Sequence, residues 1–172
     1  MHFIVMGVTG AGKSTVGAAL ARALGAEFVE GDDFHPPENR ARMSAGVPLT
    51  DADRAGWLRA LAARLARAQD EGRGLVVSCS ALKRAYRDVL RAAAPVRFVF
   101  LEGDRPLIAE RVAGRSGHFM SPALLESQFA TLEVPAPDEE AWRFDVATPP
   151  DEIVLEVVGR IVRDGDPTRA GR

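Results

Sequence analysis

The sequence predicts an α/β protein with three layers, in which helices cover both faces of a five-stranded parallel sheet. Short apolar runs alternate with longer stretches of helical periodicity along the chain. Such alternation is typical of parallel strands joined by right-handed crossovers. The run at residues 75–79 is apolar except for Ser78, as expected for a strand covered on both faces. A glycine-rich turn also separates the first run from the first helical stretch.

Each predicted strand is a short apolar or mixed run that ends at a glycine, a polar cluster or a proline. The strands are expected at residues 3–6, 27–30, 75–79, 96–101 and 143–146.

The helices follow from apolar residues at helical spacing and from their end signals. The first stretch ends at Gly25, which suits the residue after a helix. Pro36 and Pro37 open the second, because proline is tolerated in a first turn. Helices are expected at residues 13–24, 36–45, 51–68, 83–93, 105–113, 122–132 and 150–163.

One domain is expected over residues 1–163, because 172 residues suit a single core and no repeat or linker divides them. The tail, residues 164–172, is rich in Gly, Pro, Asp and Arg and is predicted to be disordered. A net charge of −2 argues against a nucleic-acid partner or a membrane surface. A single cysteine, Cys79, and the lack of a signal-like or membrane-spanning segment predict a cytoplasmic protein.

The segment GVTGAGKS at residues 7–14 matches the pattern G-x-x-x-x-G-K-[ST] of a P-loop. Glycines let the loop backbone approach phosphate oxygens, and the following helix presents its positive end to them. Lys13 is expected to reach the β- and γ-phosphates, and the Ser14 hydroxyl to bind Mg²⁺. The sequence therefore predicts ATP and Mg²⁺ as cofactors of a P-loop NTPase. The predicted nucleotide contacts in the loop are Gly7, Thr9, Gly10, Ala11, Gly12, Lys13, Ser14 and Thr15.

Two motifs that the chain lacks narrow the class of P-loop protein to which it can belong. Its only asparagine, Asn39, is not followed by lysine, so the guanine-reading motif of a GTPase is missing. No aspartate ends the strand predicted at residues 75–79. An acidic group must come from elsewhere, and Asp32 and Asp33 follow the second strand. Carboxyl ends of neighbouring parallel strands share one crevice, which would bring these aspartates opposite the P-loop.

Two roles are open for these aspartates. Asp32 can accept the proton of an attacking hydroxyl or hold a water of Mg²⁺. Alternatively, Asp32 and Asp33 only cap the helix that begins near Pro36.

Arg111 and Arg115 surround the end of a predicted helix, close to Gly114 and Gly117. We predict that residues 114–121 form a lid that closes guanidinium groups on the phosphates and excludes water. The alternative is a solvated, charged helix end.

Several segments outside the P-loop resemble the gluconate kinase (gluconokinase) family. The matches run from Met6 to about Glu140 and so cover most of the chain. They comprise Gly31, Asp32, His35, Pro36 and Asn39; Met43, Gly46, Pro48, Leu49, Asp51, Asp53, Arg54, Trp57 and Leu58; Cys79 to Lys83 with Tyr86, Arg87 and Asp88; Arg111, Arg115, Gly117, His118 and Phe119; and Ser127 to Phe129 with Leu132, Glu133, Pro135, Asp138 and Glu139.

This resemblance implies phosphorylation of D-gluconate at its 6-hydroxyl, on the nucleoside-monophosphate-kinase-like fold shared with shikimate kinase. Lys13, Asp32 and Arg115 would be catalytic, and Ser14 and Asp32 would lie at the metal. Arg111 and Arg115 would contact the nucleotide, with residues 148–149 beside the adenine. The substrate contacts implied are Asp32, His35, Arg54, Lys83, Arg87, His118 and Gln128. Lys83 could also offer the substrate a helix N-terminus.

The chain departs from the family at Asp33, where an apolar or bulky residue is more usual. The doublet makes the assignment of the base less clean, and close carboxylates would titrate together. Glu30 adds further negative charge at this point, which favours Mg²⁺ over a bare substrate carboxylate.

Two other functions are open at this stage. A kinase for another small hydroxy-acid, such as shikimate, would share the fold and differ in the pocket. A nucleotide-binding regulatory module would lack turnover, although Lys13 and Ser14 are both present. The resemblance is also compatible with a homodimer.

Overall fold

The computed structural model describes residues 1–114 and 122–163. The strands are β1 (His2–Met6), β2 (Glu27–Glu30), β3 (Leu75–Ser78), β4 (Val96–Glu102) and β5 (Trp142–Asp145). They form one five-stranded sheet in the order β2-β3-β1-β4-β5, and every neighbouring pair is parallel. The predicted parallel sheet is therefore confirmed, with each strand end within one residue of its expected position.

The helices also lie where periodicity predicts them. They are α1 (Lys13–Leu24), α2 (Pro37–Ser44), α3 (Asp51–Asp70), α4 (Arg84–Ala93), α5 (Arg105–Ala113), α6 (Pro122–Thr131) and α7 (Pro150–Arg163). Local capping interactions explain where two of these helices begin. Thr50 and Asp53 form a capping box before α3, and the Asp104 side chain accepts a hydrogen bond from Leu107 N at the start of α5. Two 3₁₀ turns, Gly31–Phe34 and Pro137–Glu139, are additions to the predicted elements.

Two hydrophobic cores lie on opposite faces of the sheet, which confirms the three layers. Side chains alternate along β1, so that Phe3 and Val5 belong to one core and Ile4 and Met6 to the other. Helices α1 and α7 pack together on the first face, and α3 and α4 pack together on the second.

The carboxyl ends of β1, β2 and β3 lie side by side and set the position of the site. Gly31 follows β2 and is buried against β3, where a Cβ atom would collide with the Ser78 carbonyl. Glycine is required there because only a missing side chain permits this approach. The Trp57 indole donates to the Gly31 carbonyl oxygen at 2.7 Å, so α3 also holds this turn.

Some predictions fall outside the described residues. These are residues 115–121 of the lid, which include Arg115 and His118, and the tail at residues 164–172. Within residues 1–114 and 122–163, no helix is long and apolar enough to cross a membrane.

Candidate active site

The P-loop, residues 7–14, joins β1 to α1. Gly12 directly precedes the first helical residue and has φ 91°, in the region that favours glycine. The Lys13 ammonium donates to the Val8 carbonyl oxygen at 2.9 Å, across the loop. The first N–H groups of α1 have no acceptor within the helix, and such groups at a helix N-terminus suit phosphate oxygens.

A cavity of about 370 Å³ lies beside the P-loop. The Arg111 guanidinium lines it and donates to the Val146 carbonyl oxygen at 2.7 Å, which fixes the guanidinium next to β5. Thr148, from the turn between β5 and α7, lines the same cavity. Arg111 and Thr148 thus lie beside the P-loop, and their contacts with a nucleotide stay predictions.

Glu30, the last residue of β2, faces the P-loop serine. The Ser14 hydroxyl donates to Glu30 Oε2 at 2.5 Å, and the Ser78 hydroxyl donates to the other carboxylate oxygen. The sequence analysis noted only the negative charge of Glu30. Its place at the carboxyl end of a predicted strand, on the edge that Asp32 shares, was the signal that could have revealed this contact.

Asp32 and Asp33 are both exposed in the 3₁₀ turn that follows β2. Neither caps α2, because the residue before this helix is Pro36 and no side chain makes the capping hydrogen bond. The capping alternative for the two aspartates is therefore wrong.

The charges of Asp32, Glu30 and Lys13 all act on one buried thiol at the end of β3. Burial raises the pKa of Cys79 to about 12, Asp32 and Glu30 add to this rise, and Lys13 opposes it. Asp32, Glu30 and Lys13 thus all lie near enough to the end of β3 for their charges to act on Cys79. Cys79 itself stays a protonated, unreactive thiol.

Lys83 and Arg54, two of the predicted substrate contacts, both lie beside Tyr86. The Lys83 ammonium lies 5.8 Å and the Arg54 guanidinium carbon 5.7 Å from the centre of the Tyr86 ring. Lys83 also binds both carboxylate oxygens of Asp51, at 2.9 and 2.8 Å. This hydrogen bond raises the pKa of Lys83 and lowers the pKa of Asp51. Both predicted cations are present, and Lys83 already has a carboxylate partner.

His35 is buried, and its ring stacks on Trp57 at 4.3 Å between centroids with an interplanar angle of 13°. Burial, followed by the charges of Arg54 and Arg40, lowers the pKa of His35 to about 4. The imidazole is therefore neutral near pH 7. Its Nδ1 is buried and makes no hydrogen bond with any described residue. A neutral ring with one unsatisfied nitrogen suits a substrate hydroxyl better than a carboxylate.

Gln128, on α6, contacts the P-loop directly. Its Oε1 accepts a hydrogen bond from Thr9 N at 2.7 Å. Because the carbonyl end is engaged with the loop, the amide nitrogen is the end that remains for the predicted contact with a substrate hydroxyl.

Arg87 lies inside the protein and not in the crevice. Its side chain is 1% exposed, and Nε and Nη2 donate to the two carboxylate oxygens of Glu139 at 2.6 and 2.7 Å. Nη1 donates to the Ala81 and Glu133 carbonyl oxygens, each at 3.0 Å. We therefore correct the prediction that Arg87 binds the substrate, because all three of its nitrogens are occupied by the protein itself.

The sequence analysis assigned no role to Asp51 or Tyr86, although both lie in segments that resemble the family. The structure places them between the two acceptor-side cations. Nothing in their spacing indicates this contact, because Asp51 begins α3 while Tyr86 lies in α4.

Comparison with known proteins identifies the family. A family model described as an AAA domain matches residues 3–135. The gluconokinase of Gluconobacter oxydans (strain 621H) is 47% identical over 156 residues, which are 90% of this chain and 88% of that protein. A crystal structure of a gluconokinase from Sinorhizobium meliloti 1021 has a TM-score of 0.85 and 51% identity, covering 94% of this chain and 91% of that one.

Shikimate kinase from Aquifex aeolicus vf5 has a TM-score of 0.60 at 17% identity, covering 96% of this chain and 98% of that one. This more distant likeness shows the fold alone. Relatives that are about half identical over nearly their whole length share more than a fold with this chain. The chain carries the AAA domain and belongs to the gluconokinase family.

Proposed function

We propose that this protein transfers the γ-phosphate of ATP to the 6-hydroxyl of D-gluconate, giving 6-phospho-D-gluconate and ADP. One observation carries the proposal. The P-loop follows β1, and the segment that ends at Lys83 follows the neighbouring strand β3, where Lys83 and Arg54 both lie beside the Tyr86 ring. The names of the most similar relatives support gluconate as the acceptor.

On the nucleotide side, the P-loop and Lys13 bind the β- and γ-phosphates, and Arg111 borders the rest of the nucleotide. In residues 1–114 and 122–163, no cluster of three or more His, Cys, Asp or Glu could hold a metal ion. Mg²⁺ does not require one, because it usually keeps several waters and binds phosphates with one or two protein groups. Ser14 and the carboxylate beside it, Glu30, are the groups that fit.

Mg²⁺ would neutralise charge that develops on the phosphates during transfer. Asp32 was the carboxylate first expected beside the ion. We now favour Glu30 there, because Glu30 is the residue that contacts the Ser14 hydroxyl. Asp32 is then left for the acceptor hydroxyl, whose proton it accepts during transfer.

On the acceptor side, Lys83 and Arg54 attract the carboxylate of the sugar acid, and Asp51 holds the ammonium of Lys83 in place. The neutral His35 and the amide nitrogen of Gln128 contact hydroxyl groups. A sugar acid needs this mixture of a few cations with polar donors and acceptors. Arg115 and His118 lie outside the described residues, and for them the roles predicted from sequence stay predictions.

The test is an ADP-release assay with Mg²⁺-ATP against D-gluconate, shikimate, glycerate, glucose, AMP and water. We expect release with gluconate, and a product that 6-phosphogluconate dehydrogenase oxidises. Release with another acceptor alone would overturn the substrate and keep the kinase. No release above the water control would favour a non-catalytic nucleotide-binding module. Lys13→Ala is the matched control, because it should abolish release without changing the acceptor side.

The cytoplasmic location and the homodimer stay predictions from sequence. Fractionation of cells and the mass of the protein in solution test them directly.

A further inference from the structure

One face of α4 carries arginines at spacings of three and four, which places them on the same side of the helix. They contact acidic residues that follow α6. We call these six residues the clasp: Arg84, Arg87 and Arg91 with Glu133, Asp138 and Glu139. The proposed reaction uses none of them, yet they join α4 to the segment after α6 through several hydrogen bonds.

The interior part of the clasp is a complete ion pair. Arg87 and Glu139 are each 1% exposed and bind through two hydrogen bonds. Glu139 also accepts from Arg91 Nη2 at 2.9 Å and from Ala136 N at 3.0 Å. Buried charges persist only when such hydrogen bonds compensate their desolvation. The hydrogen bond to Arg87 holds the pKa of Glu139 well below its usual range.

The outer part of the clasp contacts the residues on either side of Lys83 in the sequence. Glu133 N donates to the Leu82 carbonyl oxygen at 2.8 Å, and Glu133 Oε2 accepts from Arg84 N at 2.7 Å. One residue thus binds the backbone immediately before and immediately after Lys83. The pKa of Lys83 is raised mainly by Asp51, and the charge of Glu133 adds to this effect, so the Glu133 carboxylate is also near the ammonium.

This contact changes the expected role of the α4 N-terminus. The sequence analysis expected it to help bind the substrate carboxylate. Arg84 N is instead occupied by Glu133, so Lys83 binds the anion through its side chain. The loop that carries Lys83 must then be held in place by other means.

The backbone at both ends of the clasp is strained. Ala81 has φ 42° and Glu140 has φ 50°, and they are the non-glycine residues with positive φ in the described part of the chain. The Ala81 carbonyl oxygen accepts from Arg87 Nη1 at 3.0 Å. Such conformations persist only where surrounding contacts enforce them, and they are concentrated at functional sites. Arg87 supplies this enforcement for the loop before Lys83.

The same segment is connected to the nucleotide side. Gln128 binds Thr9 N of the P-loop, and Glu133 lies just beyond the end of the same helix, α6. The helix therefore contacts the P-loop at one point and the loop of Lys83 at another.

We propose that the clasp positions Lys83 for the acceptor, and that Glu133 is the positioning residue that sets the loop at residues 81–84 relative to α6. This inference rests on the proposed function, since it concerns binding of the anionic acceptor. It adds a role for residues that touch neither gluconate nor ATP.

The test compares Glu133→Ala and Glu133→Gln with the wild type. Glu133→Ala removes the carboxylate that caps α4 and leaves the backbone contacts. We expect the KM for gluconate to rise by about five- to tenfold and the KM for ATP to change by less than about twofold. Glu133→Gln keeps an oxygen for Arg84 N and should restore most of the loss.

Glu126→Ala is the matched control. It removes an exposed glutamate from α6 that pairs with Arg105 at 2.8 Å, away from the clasp, and should leave both KM values unchanged. A Glu133→Ala enzyme with unchanged KM values, with both raised equally, or with only kcat lowered would overturn the proposal. A lower KM for gluconate would also overturn it, because the carboxylate would then obstruct the acceptor.

Amide hydrogen exchange provides a readout that does not need turnover. The Arg84 amide should exchange about tenfold faster in Glu133→Ala than in the wild type, because the carboxylate that accepts its hydrogen bond is lost. Unchanged exchange would overturn the positioning role even if gluconate proved not to be the substrate. If the wild type did not phosphorylate gluconate, but exchange were still faster in Glu133→Ala, only the proposed function would be overturned.

Discussion

At the nucleotide end of the crevice, the binding groups belong to one stretch of backbone, residues 7–14, with Lys13 and Ser14 at its end. At the acceptor end, the binding groups are side chains from separate segments. His35 stacks on Trp57, and Lys83 binds Asp51. The position of the phosphate-binding groups follows from the local geometry of consecutive residues. The position of each side chain at the acceptor end depends instead on neighbouring residues that hold it in place.

Lys83 and Arg87 show this dependence within a single turn. They are four residues apart, both are cationic, and both belong to a segment that resembles the family. Lys83 is 30% exposed at the acceptor side, and Arg87 is 1% exposed in an ion pair. Charge and proximity in sequence therefore do not decide which residue binds a ligand.

The largest expected effect is on kcat and concerns Asp32 and Asp33, the carboxylates between the nucleotide end and the acceptor end. Asp32→Asn should lower kcat by at least about a hundredfold, because the acceptor hydroxyl loses the group that takes its proton. Asp33→Asn is the control and should lower kcat by no more than about threefold. Steady-state kinetics with gluconate and ATP measure both. A nearly normal Asp32→Asn enzyme, with a defective Asp33→Asn enzyme, would move the base to Asp33.

The next prediction separates the two cations of the α4 segment. Lys83→Ala should raise the KM for gluconate by about tenfold and leave both the KM for ATP and the free energy of unfolding nearly unchanged. Arg87→Ala should lower the free energy of unfolding by about 3–5 kcal/mol, because the buried Glu139 carboxylate loses its two hydrogen bonds to Arg87 and keeps only those from Arg91 and Ala136 N.

Urea unfolding and kinetics on both variants measure this difference. Equal loss of stability in the two variants would contradict the division into a binding cation and an interior one. A rise in both KM values on Lys83→Ala would contradict its place on the acceptor side alone.

The smallest effect concerns the buried His35. Its pKa in the folded protein is about 4, below the ordinary value of 6.5. Between these values the unfolded chain binds a proton that the folded protein does not bind. The stability from His35 is thus complete above about pH 6.5 and is lost as the pH falls towards 4. His35→Gln should unfold with a weaker dependence on pH in this window.

Urea unfolding at several pH values measures that slope. His2, whose pKa is also lowered by burial, contributes in the same direction and is present in both proteins, so the difference reports His35. Identical slopes in the wild type and His35→Gln would mean that His35 is protonated in the folded protein.

The fold was largely predictable because its signals are local. Helix α1 spans Lys13–Leu24, as its periodicity and Gly25 indicate, and the five strands follow from short apolar runs. The 3₁₀ turns were not predicted, since three or four residues carry no periodicity. The phosphate cradle was predictable for the same reason as α1, because its function depends on consecutive residues.

The sequence by itself determined the parallel sheet and the P-loop. Only the tertiary structure decided that Glu30 contacts Ser14, that Arg87 is interior and that Glu133 caps α4. The physical reason is that these contacts join residues on different elements. Their geometry depends on how each helix is rotated against the sheet, and no local pattern of residues records that rotation.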